Sequence, residues 1–173
     1  MRIIIAVTVL LALHVIATQA SENTSPLNIE ISNPDARISI PGMPPMVMDE
    51  HPMHQQNSRL HLHGKSGNTA VSIGTPEIEA AVTPMACAIG VANAILELNQ
   101  VSREQMFLGR ANEHTFLIIY GLPMDKAVLL NTHVVSSDQG HQCIEAHISR
   151  ISTSEADIEP WFNGFAGADI SSP

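Results

Sequence analysis

Apolar residues spaced two apart set the first pattern in this chain. Leu27, Ile29 and Ile31, then Ile38 and Ile40, alternate with polar positions. Side chains with period two fall on one face of a strand, so each run predicts a short strand with one buried side. Asn33-Pro34-Asp35 between them has turn chemistry. The same spacing returns in "SRLHLHG", which puts Leu60 and Leu62 on one strand face and His61 and His63 on the other. "NTAVSIGTPEIEAAV" continues in extended style to Val82.

The period then changes. Thr83-Pro84 offers an N-cap followed by proline at the first helical position. From there Ile89, Ala92, Ile95, Leu96 and Asn99, widened by Val91, Ala94 and Leu98, predict a largely buried helix over about 84–99. "VSREQMFLGR" predicts a second short helix, with Ser102 and Gln105 as a capping box and Gly109 as its stop. "HTFLIIYGLP" and "KAVLLNTHVV" read as strands joined by a turn over 121–126, and "HQCIEAHISRIS" as a third. Residues 134–140 and the last five read as loop or tail. A capped start over 154–157 leads to Trp161, Phe162 and Phe165, which should fold back onto the sheet. The order predicts an α+β fold, an antiparallel sheet covered by the helix, with a Met/His-rich loop before it.

The N-terminus reads separately. One positive charge at Arg2, an apolar run over about 3–17 and the small-residue site Thr18-Gln19-Ala20 make a secretory signal over 1–20. The run is short for a membrane span and His14 interrupts it, so no stable membrane insertion is expected after cleavage. The expected division is then a signal at 1–20, N-terminal strands and a Met/His/Pro-rich loop at 21–58, and an α+β core domain at 59–173. The net charge of −9 argues against nucleic acid or an anionic membrane surface as partner. The only cysteines, Cys87 and Cys143, are expected to form a disulfide in a periplasmic or secreted protein.

Candidate chemistry concentrates in "PGMPPMVMDEHPMHQQNSRLHLHGK", residues 41–65, which holds four methionines and four histidines. Pro41, Pro44, Pro45 and Pro52 forbid a helix and remove amide donors that a central strand needs. Thioether sulfur is a soft donor that selects Cu(I) over Zn(II), and imidazole binds copper in both oxidation states. Met43, Met46, Met48 and Met53 are therefore the expected Cu(I) ligands, with His51, His54, His61 and His63 completing Cu(I) or Cu(II) coordination. In composition the segment is similar to bacterial periplasmic copper-handling proteins.

A second constellation is His141-x-Cys143-x-Glu145-x-His147, whose members share one strand face, with His133 on a neighbouring strand able to join. Two histidines and a carboxylate suit a catalytic zinc or iron ion. A disulfide at Cys143 would turn this face toward the core, and a rise of about 3.3 Å per residue sets His141 and His147 roughly 20 Å apart. No phosphate-binding Gly-rich loop, Gly-x-Ser-x-Gly elbow, His-Glu-x-x-His or Cys-x-x-Cys motif is present. The resulting expectation is an exported copper-binding protein serving copper buffering, delivery or resistance, with a copper-exporting or copper-accepting protein as partner. The alternatives are an interaction module using the Met-rich loop for contact and, third, a metal-dependent enzyme using the His/Glu strand.

Overall fold

The structure, a computed structural model, describes residues 25–32, 34–78, 83–98, 101–138 and 141–172. The expected signal at 1–20 lies outside them. Two antiparallel sheets carry most of the chain. The smaller takes β1 (Leu27–Ser32), β2 (Asp35–Ile40) and, from the other end of the chain, β10 (Asp169–Ser171), in the order β1-β2-β10. The larger has seven strands in the order β3-β4-β5-β9-β8-β7-β6. These are β3 (Met48–Glu50), β4 (Leu60–Ser66), β5 (Thr69–Gly74), β6 (Met106–Arg110), β7 (Phe116–Pro123), β8 (Val128–Asp138) and β9 (Gln142–Ser152).

Alternation decides which residues meet. Ile29, Ile31, Ile38, Ile40 and Ile170 leave the small sheet on one face and pack on Val71, Ile73, Leu117, Ile119, Leu130, Val134, Ile144 and Ile148 of the large one. The result is a sheet-on-sheet core. β7 is apolar on both faces because both are buried: Leu117 and Ile119 enter that core, while Phe116, Ile118 and Tyr120 point the other way. On that second face lies α1 (Pro84–Leu98), against β7, β8 and β9. Thr83 caps it as expected, its Oγ1 accepting from the Ala86 N–H at 3.1 Å. Cys87, Ala88, Val91, Ala92 and Ile95 form its buried stripe, whereas Met85, Ile89 and Leu98 are 40, 45 and 81% exposed. The helix is thus amphipathic rather than buried all round. The disulfide Cys87–Cys143, with Cα atoms 5.5 Å apart, ties it to β9.

Three expectations change. The helix expected after Ser102 is a single 3-10 turn at Arg103–Gln105. Its local signal is real, since the Ser102 N–H donates to Gln105 Oε1 at 3.0 Å. The chain then turns extended because Met106–Arg110 pairs with β7, and sheet pairing overrides a one-turn cap. Residues 134–138, expected as loop, extend β8, where Val134 and Val135 are fully buried. The Met/His segment is not all loop, since β3 pairs Met48, Asp49 and Glu50 with Gly64, His63 and Leu62.

The C-terminal aromatics do fold back. α2 (Ile158–Asn163) and the turn after it bury Trp161 and Phe165 in the sandwich core, their rings edge to face at 4.9 Å. Among the described residues, no helix is long and apolar enough to cross a membrane.

Candidate functional site

The Met/His segment runs along the β3–β4 rim of the large sheet, and the fold separates its donors. Met43 is 5% exposed within the sandwich core, and Met53 is 49% exposed in the turn after β3. Met46 and Met48 lie between, packed on the core's margin. Their sulfurs converge on Gly64. A Cβ built there would sit 2.5 Å from Met48 Sδ and 3.1 Å from Met46 Sδ. Only glycine leaves room for both, so two soft donors meet at one backbone position.

The histidines form two pairs. His51 and His63 have ring centroids 5.6 Å apart, His54 and His61 5.8 Å. Two imidazoles on one ion, with metal–nitrogen bonds of about 2 Å, have centroids roughly 5–6 Å apart, so both spacings match a shared ion. His61 and His63, expected together on one face, have different ring neighbours, and the register shifts between Leu60 and Leu62, leaving His61 as the extra, bulged residue.

Hydrogen bonds set the free lone pairs. His54 Nδ1 donates to the Leu60 carbonyl and His63 Nδ1 to the Glu50 carbonyl at 3.2 Å, which leaves Nε2 of each bare. Such carbonyl bonds orient metal-ligating imidazoles. His51 Nδ1 instead accepts from the Met53 N–H at 3.2 Å. His61 Nε2 meets Thr75 Oγ1 at 3.2 Å, and burial, then the charge of His54, lowers its pKa. A ring kept neutral loses less to proton competition when it binds metal.

His54 and His61 open onto a cleft of about 700 Å³. Glu30, His141 and the Arg59–Glu77 ion pair also line it. His141, just ahead of β9, therefore lines this cleft together with Gln142 and Cys143.

His133, in contrast, does join Glu145 and His147. Register places His133 opposite His147 across β8 and β9. His133 Nδ1 donates to Glu145 Oε1 and its Nε2 accepts from the Tyr120 hydroxyl at 3.2 Å. His147 Nε2 donates to Asn131 Oδ1 at 3.0 Å, and Asn131 Nδ2 to the Leu129 carbonyl at 3.1 Å.

Electrostatics match this network. Burial raises the Glu145 pKa, but the His133 hydrogen bond and the charges of His133 and His147 outweigh it and leave it below the ordinary value. Burial, then His133, pushes His147 down to about 4, with Glu145 opposing. Burial, then Glu145, pushes Tyr120 up to about 12. Both nitrogens of His133 are used within the network, so a metal ion would have to displace existing partners. Among the described residues, no group of three or more His, Cys, Asp or Glu is arranged to hold a metal ion.

Sequence reading missed Tyr120, Asn131 and Gly64. The apolar strand around Tyr120 hides its hydroxyl, and nothing local marks Gly64 as the seat of two sulfurs. No known protein-family model matches the chain, and no curated protein is significantly similar to it.

Proposed function

We propose that this is an exported, periplasmic or secreted, copper-binding protein that serves copper buffering, delivery or resistance and exchanges the metal with a copper-exporting or copper-accepting partner. The observation that carries the reading is the convergence of Met46 and Met48 sulfurs over Gly64. The donor chemistry fits copper: paired thioethers favour Cu(I), and the Nε2 atoms of His54 and His63, whose Nδ1 atoms are held by carbonyls, suit either oxidation state. Met46 and Met48 would hold Cu(I), the two imidazole pairs would take Cu(II), and Met43 would serve packing. The disulfide fits an oxidising destination.

Competition for Cu(I) with a chromophoric chelator tests the proposal. The mature chain should withdraw Cu(I), and the Met46→Leu/Met48→Leu variant, which keeps the bulk and removes the sulfur, should bind at least about tenfold more weakly. Equal affinity in the two overturns it. A second reading, a pliable contact surface for another protein, draws on Val47 and Met53, 75 and 49% exposed at the same rim. That reading expects the leucine variant to behave as wild type.

A further inference from the structure

The seven-stranded sheet ends at β3 on one side and at β6 on the other. The two edges differ. β3 is three residues long, with Pro44, Pro45 and Pro52 around it, which blunts it against further pairing. β6 has five residues, no proline or lysine, and an unbroken register with β7. Phe107 and Leu108 on it are 51 and 42% exposed. Met106 and Leu108 also border an apolar groove of about 300 Å³ against Ile89 and Leu96 of α1.

The hairpin between β6 and β7 sets which backbone groups face outward. The Ala111 N–H donates to the Thr115 carbonyl at 2.9 Å. Alternate residues of an antiparallel strand bond to the same neighbour, so Phe107 and Gly109 share that phase and bond to β7. The N–H and C=O groups of Leu108 and Arg110 then point away from the sheet, together with the Met106 carbonyl. The Met106 N–H is already taken by the Arg103 carbonyl. Among the described residues, no strand pairs with this outer side of β6. Such a row of free donors and acceptors is a template for another strand.

We propose that β6 pairs with β6 of a second copy, antiparallel about a two-fold axis at Leu108, so that two sheets join into one. This register overlaps the whole strand. Leu108 exchanges N–H and C=O bonds with its counterpart, and the Arg110 N–H of each copy reaches the Met106 carbonyl of the other. Every outward N–H of the strand is then met. Size agrees, because Phe107 comes opposite a Gly109 that has no side chain. The same ring already folds over its own Gly109, where a Cβ would lie 2.5 Å from Phe107 Cζ. Charge agrees as well. The net charge of −9 opposes self-association, but this edge is balanced, with Arg103 and Glu104 before β6 and Arg110 and Glu113 after it. Antiparallel pairing sets these ends against each other, bringing Arg110 of each copy beside Glu104 of the other. Both Met/His rims stay at the far ends of the joined sheet, so the pairing is independent of the copper reading.

Sedimentation equilibrium of the mature chain at concentrations up to about 1 mM tests the proposal. A monomer–dimer equilibrium is expected. Leu108→Pro removes an outward N–H while leaving the ladder to β7 its donors, and Leu108→Lys puts a charge beside the apolar groove. Each should raise the dimer dissociation constant at least about tenfold. If the proline variant fails to fold, the charge pair still decides: Arg110→Glu should weaken the dimer, and adding Glu104→Arg should restore it. Hydrogen exchange at the Leu108 and Arg110 amides should slow as concentration rises. A monomer across that range overturns the proposal, and so does a dimer that none of these variants weakens. Protection of the two amides in a monomer, gained on adding an extended peptide, would assign the edge to another partner and overturn self-pairing too.

Discussion

The imidazoles of His133 and His147 lie parallel on adjacent strands, with centroids 4.3 Å apart and planes within 4°. At that distance two imidazolium ions would repel strongly in a buried site, so the pair does not carry two charges. Glu145 and Tyr120 complete the set of titratable groups in their hydrogen-bonded network.

Acid should therefore unfold this protein from within that network. The folded pKa of His147 is lowered from 6.5 to about 4, so the unfolded chain binds more protons between those values and stability falls as pH drops through that window. The loss should be on the order of 2–3 kcal/mol. Glu145 acts in the same direction at lower pH, because its lowered pKa stabilises the fold until pH falls through the folded value. Urea midpoints measured from pH 7 to 4 should decline, and His147→Gln should flatten the decline between 6.5 and 4. A variant with the wild-type slope would mean that another group carries it.

Removing the Cys87–Cys143 link should destabilise the chain by about 4 kcal/mol on the chain-entropy account, given a sequence separation of 56. Denaturant unfolding of the double alanine variant measures this. Alkylation of non-reduced native protein should modify neither cysteine.

Gly64→Ala should disturb the fold and the thioether pair together. Its Cβ would lie 2.8 Å from the Val47 carbonyl oxygen as well as 2.5 Å from Met48 Sδ. The methionine can swing aside, but the backbone carbonyl moves only with β3. A loss of about 1–3 kcal/mol is expected from the overpacking. Cu(I) affinity, measured by chelator competition on the folded fraction, should fall as well. Unaltered affinity would separate the sulfurs' position from metal binding.

Phe165→Ala should cost about 3–5 kcal/mol, because the ring is 1% exposed in the sandwich core. Thermal or urea unfolding would show it. A loss below about 1 kcal/mol would mean that the C-terminal segment detaches without disturbing the two sheets.

Much of the local structure is written in single runs of sequence. Period-two alternation marked β1, β2, β4 and β9, a continuous apolar run marked β7, Thr83-Pro84 marked the start of α1, and an isolated cysteine pair marked the disulfide. These signals depend only on backbone geometry and on neighbours a few residues away. The assembly of two sheets was not legible, because β2 meets β10 through Ile38 and Ile170, residues far apart along the chain. A one-turn cap at Ser102 could not reveal that Met106–Arg110 would be claimed by β7.

The candidate sites divide in the same way. Clustering of methionine and histidine was visible in residues 41–65, but which donors converge was decided by a bulge at His61, by core burial of Met43 and by the missing side chain at Gly64. His133 reached Glu145 and His147 through the register of β8 on β9, whereas His141 was carried to a different cleft. Residue types and their local period follow from the chain itself. Which of them face one another follows from sheet register and layer packing, because these depend on the summed burial of distant side chains.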